Sequence, residues 1–135
     1  MKRTICVAVA FACLLCMASC LPACQSRNVQ LNEEKSYFSD FKVENDKVYI
    51  YCTLFIENSA DDEKIIELKA TLNDDAENGL LKEAVIDGYS RDEATKNFTL
   101  QKGESRIDVV FIGEYAGTDE KLNRLLPDIE IIPIE

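Results

Sequence analysis

Histidine and tryptophan are both absent from the 135 residues, and one of the two methionines is the initiator. Without an imidazole there is no Ser-His or Cys-His nucleophilic pair, no His-ligated zinc or copper site, and no ordinary general base near neutrality. A methionine-rich copper site is excluded by the same scarcity. Glycine is sparse, five residues in all, and no Gly-rich phosphate loop or Walker-type sequence occurs. Five of the six cysteines fall in the first 24 residues, leaving only Cys52 beyond them. The body of the chain therefore has no disulfide framework and no thiolate cage for a metal, and its stability must come from a hydrophobic core. Positive charge is scarce too. Past the first 24 residues, thirteen bases stand against twenty-five acids, a net charge of about −12. A chain so charged repels nucleic acid, offers no basic stripe for phosphates and favours a cationic or neutral partner.

The abundant carboxylates do not point to catalysis. Adjacent pairs such as Asp61-Asp62, Asp74-Asp75 and Asp119-Glu120 diverge into water on loops, so nothing separates their pKa values into an acid and a base. Tested as a calcium loop with Gly79 as the turn glycine, the acidic segment has Asp74 and Asn78 in place. Ala76 stands where an oxygen ligand is needed, and Val85 where the bidentate Glu belongs. The expectation is a non-enzyme without metal or cofactor.

The opening segment sets the compartment. Lys2 and Arg3 precede an uncharged apolar run, Ile5 to Ala18, of the length of a signal-peptide core. As a helix these positions span about 21 Å, short of a hydrocarbon layer of roughly 30 Å. Small residues then lead into a cysteine twice, at Met17-Ala18-Ser19-Cys20 and at Leu21-Pro22-Ala23-Cys24. Both resemble the lipobox of bacterial lipoproteins. The resemblance implies diacylglycerol on a cysteine thiol and cleavage just before it, with Cys20 favoured because it follows the apolar run directly and Cys24 as the alternative. It further implies a signal peptide over 1–19 (alternatively 1–23), a lipidated N-terminus and flexible tether over 20–34, and an address on the extracytoplasmic face of the bacterial cell membrane.

Beyond the tether, alternation of period two dominates. Lys47 to Glu57 is the clearest strand, with Val48, Ile50, Cys52, Leu54 and Ile56 on one face and Tyr49, Tyr51, Thr53 and Phe55 on the other. An aromatic second face marks a central strand whose hydroxyls reach solvent or a partner. Asn45-Asp46 predicts a hairpin turn before it. Lys64 to Leu72 alternates again, Asn73 to Gly79 reads as an acidic loop, and Leu80 to Tyr89 as a strand in preference to a marginal helix. Phe98-Thr99-Leu100, a turn at Gln101 to Ser105 and an alternating run from Arg106 to Ile112 follow. This run is similar to the late strands of immunoglobulin-like sandwiches in bacterial surface lipoproteins. Asp128 to Ile134 reads as an edge strand, because Pro133 cannot donate to a ladder. Six to seven short strands without a long helix predict an all-β, antiparallel, immunoglobulin-like sandwich over 35–135.

The long irregular stretch Gly113 to Pro127 is the candidate contact loop, with Tyr115, Lys121 and Arg124 as its contact residues. The functional expectation is a lipid-anchored, non-catalytic interaction module that meets a protein or small ligand at the cell surface. The alternative is a ligand-binding accessory of a transport system, which requires a sizeable concave pocket.

Overall fold

The computed structural model describes residues 28–118 and 124–134. Its centre is a hairpin. β2 (Tyr37–Glu44) and β3 (Lys47–Asn58) meet at Asn45 and Asp46, whose φ angles of 54° and 63° make the two-residue turn that matches strand twist. On its other edge β3 runs antiparallel along the whole of β7 (Gly103–Glu114), from Lys47 opposite Glu114 to Asn58 opposite Gly103.

Around this ladder lie β1 (Val29–Leu31), β4 (Lys64–Thr71), β5 (Val85–Ser90), β6 (Phe98–Leu100) and β8 (Asp128–Ile134). All pairings are antiparallel, and β5 joins the halves, bonding β7 through Asp87–Ser90 and β4 through Val85–Asp87. β6 continues along that same edge of β4, and β8 covers the other. The result is an eight-stranded, sandwich-like sheet, coiled until β8 lies beside β1 and the outline is nearly a barrel.

The expected all-β antiparallel class is therefore present, with eight strands in place of six to seven. The extra strand is β1, which lies inside the segment 20–34 expected to be a tether. Val29 is buried, and Val29–Leu31 pair with Ile56–Asn58. β1 and β2 share one edge of β3 because Ser36 ties the kink between them: its hydroxyl donates to the Asn32 carbonyl at 2.7 Å and accepts the Phe55 amide at 3.0 Å.

Inward-facing residues of β3, β4 and β7 form one core with Leu80, Leu81, Ile86 and Leu100. Among the described residues every buried side-chain nitrogen and oxygen has a hydrogen-bond partner, as a core without disulfides requires. Gly88 lets the two halves close, because a Cβ there would lie 2.9 Å from both Phe111 and Val109. Exposed edges are blunted. β2 carries a bulge between Phe38 and Asp40, and Pro133 removes one amide donor from the edge strand β8.

Two further expectations need correction. The acidic loop over 73–79 begins as a short helix, α1 (Asn73–Glu77), with Asp74 and Asp75 in its first turn and Gly79 at φ 87° just past its end. Acids near a helix N-terminus and a positive-φ glycine beyond its C-terminus are favourable local chemistry. The segment 80–89 is strand only from Val85. Leu80 and Leu81 are instead buried in a loop, their amides both donating to the Asp75 carbonyl, and the inward residue of β5 is Ile86 while Val85 is 46% exposed.

Candidate functional site

Of the stretch 113–127, expected as an exposed contact loop, residues 113–118 and 124–127 are described. Gly113 and Glu114 complete β7. Tyr115 packs against the core, bridges to Leu81, and donates its amide to the Asp46 carbonyl at 2.9 Å. The physical reason is that the β7 alternation carries on past Ile112 and the chain finds a partner in the buried Leu81. Arg124 is exposed, with its guanidinium 5.3 Å from the Phe41 ring centroid. Lys121 lies outside the described residues, as do both lipidation candidates, Cys20 and Cys24. Of the two expected contact residues that are described, Tyr115 is half-buried and Arg124 exposed.

Chemistry gathers instead on the outward face of β2, β3, β7 and β5, where register places side chains in rows. One row runs Lys42, Tyr49, Ile112, Asp87, Lys69 and Glu130 across six strands. The next runs Asp40, Tyr51, Val110 and Tyr89, and beyond it lie Tyr37, Thr53 and Asp108. Four of the five tyrosines in the chain are on this face. Val110 points outward yet is 0% exposed, so the side chains flanking it in its row close over a dry floor.

Each ring but one carries a cation. Lys42 Nζ lies 4.9 Å from the Tyr49 centroid, the Arg91 guanidinium 4.9 Å from Tyr51, Lys96 Nζ 6.0 Å from Tyr89, and Lys35 Nζ 5.7 Å from the neighbouring Phe55. Tyr37 has none and is 47% exposed. Three of these four cations are neutralised by a carboxylate: Lys35 by Glu104, Lys42 by Glu44 and Lys96 by Asp87. The Glu44 hydrogen bond is the main cause that raises the Lys42 pKa. Burial pushes the Asp87 carboxyl upward, but the bracketing Lys69 and Lys96 ammoniums outweigh it and hold the group below its usual range.

Arg91 is different. Among the described residues it forms no ion pair, although these hold twenty-two carboxylates and eleven cations. Its loop is well braced: the Ser90 hydroxyl donates to the Asp92 carboxylate, the Ala94 amide donates to the same oxygen at 3.1 Å, and the Ser90 amide donates to the Thr95 carbonyl at 2.8 Å. Sequence reasoning singled out no residue between Tyr89 and Phe98. The available signal was Tyr49 and Tyr51 on the second face of β3, since an outward aromatic row implies that something lies across it.

No known protein family, curated protein or solved structure matches the chain.

Other features carry less. Burial pushes the Cys52 thiol up to about 12, which leaves it protonated and inert. A hollow of about 220 Å³ between α1 and the segment before β8 is lined by Asp74, Asp75 and Asp128 beside Leu125 and Leu126, and a second of about 240 Å³ lies beside Val85 and Ile112. Both fall below the roughly 300 Å³ at which small-molecule sites begin, whereas a third, of about 480 Å³, is a shallow, acid-lined hollow open to solvent beside Leu31, Glu33, Glu34, Glu57 and Glu104. Among the described residues no group of three or more His, Cys, Asp or Glu is placed to hold a metal ion.

Proposed function

We propose that this protein is a lipid-anchored, extracytoplasmic interaction module of the bacterial cell surface, non-catalytic, which meets its partner through the outward face of β2, β3, β7 and β5. The observation that carries the contact reading is the Tyr51–Arg91 pair, a guanidinium held over an aromatic ring with no acid among the described residues to neutralise it. Tyrosine and arginine are enriched among the residues that carry binding energy where proteins meet, tyrosine for its large amphipathic ring and arginine for a planar guanidinium that stacks on rings and offers a pre-organised fork of donors. The surrounding ion pairs, Lys42 with Glu44 and Asp87 with Lys69 and Lys96, form a polar rim about that centre. The anchor is supported by the leader alone, whose n-region, apolar run and cysteine stand in lipoprotein order. Two acyl chains give the stable hold that one does not.

Two measurements test the reading. Mass spectrometry of the processed N-terminus in a lipoprotein-processing bacterium is expected to show a diacylglyceryl cysteine at Cys20 or Cys24, and an unmodified start removes the anchor. A photo-crosslinking residue at position 49 is expected to capture a surface partner, with capture lost in the Tyr51→Thr, Arg91→Ala double variant and kept in Arg124→Ala. Equal capture by the double variant, folded as shown by its melting curve, overturns the proposed face.

A further inference from the structure

We infer that the Tyr51–Arg91 pair is a receptor for a single carboxylate side chain of the partner, presented from an otherwise neutral extended segment whose apolar neighbours lie on Tyr49 and Ile112. That carboxylate is a local exception to the cationic or neutral partner that the overall charge favours; the inference rests on the interaction-module reading and names the chemistry it would recognise. The first ground is the unspent donor set. A guanidinium offers five N–H groups in a planar fork that matches a carboxylate at two points, and no carboxylate among the described residues is in ion-pair reach of Arg91, although acids outnumber bases there two to one.

The second ground is that Asp92, beside Arg91 in sequence, and Asp40, across the ladder from Tyr51, are engaged within their own segments. Asp92, next in sequence, accepts from the Ser90 hydroxyl and the Ala94 amide. The Ser90 bond leads the causes that lower its pKa, so it is ionised yet directed into its own loop. Asp40, opposite Tyr51 across the β2–β3 ladder, accepts from the Phe41 amide at 2.8 Å. Neither neutralises Arg91, and the braced 90–95 turn together with the ring beneath narrows the positions open to its guanidinium ahead of binding, which lowers the entropy a partner must overcome.

The third ground is the floor. Val110 is wholly buried between Tyr51 and Tyr89 in its row. An ion pair formed above a dry aromatic surface is screened less than one formed in open water. Apolar Ile112 sits beside Tyr49 in the adjacent row, and in an extended segment alternate side chains point the same way. The carboxylate and the apolar groups then fall on neighbouring rows of the sheet.

The test is a ¹⁵N NMR titration of the full chain with three capped pentapeptides, Ac-Phe-Ala-Xaa-Ala-Phe-NH₂, in which Xaa is Glu, Gln or Lys and the two Phe lie on the same face as Xaa. The Glu peptide is expected to shift the Tyr49, Tyr51, Tyr89 and Arg91 signals and to bind at least about tenfold more tightly than the Gln peptide, the scale of a charge-assisted bond against a neutral one. Arg91→Gln is expected to abolish that difference, and Arg124→Gln to preserve it. Equal binding of the Glu and Gln peptides, preference for the Lys peptide, shifts confined to other faces, or absence of binding by all three overturns the inference. Partner crosslinking that survives Arg91→Gln but is lost in Tyr51→Thr overturns the carboxylate receptor and leaves the interaction face standing, whereas crosslinking indifferent to both overturns the face itself.

Discussion

Asn58 closes one end of the sheet, and its removal should be among the most damaging single changes in this chain. The residue is the last of β3 and 0% exposed. Its amide nitrogen donates to the Asp62 carbonyl at 3.0 Å and to the Leu100 carbonyl at 3.2 Å, while its oxygen accepts the Ala60 amide at 3.0 Å. One side chain thus joins β3, the turn into β4 and the end of β6. In Asn58→Ala the Leu100 carbonyl loses that partner in a fully buried setting, a penalty of about 1–3 kcal/mol, and the two partners nearer the surface lose about 0.5–1 kcal/mol each. The sum is about 2–5 kcal/mol, a shift of roughly 10–25 °C in melting temperature for a body of this size. Urea unfolding followed by tyrosine fluorescence measures it, with Asn58→Asp as a companion that keeps the shape and the acceptor but removes both donors. If Asn58→Ala costs less than about 1 kcal/mol, water replaces the amide and the three-way tie is not what holds this end together.

Three further outcomes follow from the same geometry. Gly88→Ala places a methyl 2.9 Å from Phe111 and Val109 and 3.2 Å from the Leu68 carbonyl, and overpacking of this kind should cost about 1–3 kcal/mol in urea unfolding; an unchanged midpoint would mean β5 can slide out to admit it. The Cys52 thiol, pushed up to about 12 by burial, should resist iodoacetamide in the native protein and react fully in denaturant, so rapid native labelling would contradict the burial. The Asp87 carboxyl is held below its ordinary range by Lys69 and Lys96 against the effect of burial, so the folded state favours its ionised form. Its stabilising contribution is present above the unfolded carboxylate value of about 4 and is lost as pH falls through the lower folded value; the stability gap between wild type and Asp87→Asn should therefore shrink in acid, and a gap constant with pH would refute the assignment.

Where alternation was unbroken, sequence determined structure closely. The inward set Val48 to Ile56 on β3 and Ile66 to Ala70 on β4 is buried as period two requires, and Asn45-Asp46 turns as its side-chain chemistry predicts. Alternation says which face a residue takes but not which strands adjoin, so the continuous sheet and the bridging role of β5 were not legible. The misplacements share one cause. Val29, Leu80, Leu81 and Tyr115 lie in short segments without a period of their own, and each is drawn inward by a long-range partner that local pattern does not show. For the site, the Tyr49 and Tyr51 face was visible in β3 alone. Arg91 was not, because its position over Tyr51 depends on β5 being threaded beside β7, which brings Ser90 opposite Val109 and Tyr89 opposite Val110.

Tyrosine at an outward strand position is accounted for by β-propensity and by cross-strand contacts with its neighbours, so the aromatic row by itself argues little for a partner. Most of the cations above it are equally accounted for, since Lys35, Lys42 and Lys96 each have an acid within 3.4 Å. Those pairs are exposed, and their energetic worth is small. What propensity and neutralisation leave over is Arg91. Like Arg124 over Phe41, it reaches no acid among the described residues, but on this aromatic face it alone does so, and Asp92 beside it is engaged by its own turn. A cation kept over a ring and left without a counter-charge adds little to folding that a neutral residue would not. Its fork has a use only when an anion arrives from outside. Arg91→Gln should accordingly leave the melting temperature unchanged while removing partner capture. A marked loss of stability in that variant would instead make Arg91 a structural prop of the β5–β6 turn, and the case for an external anion would fail with it.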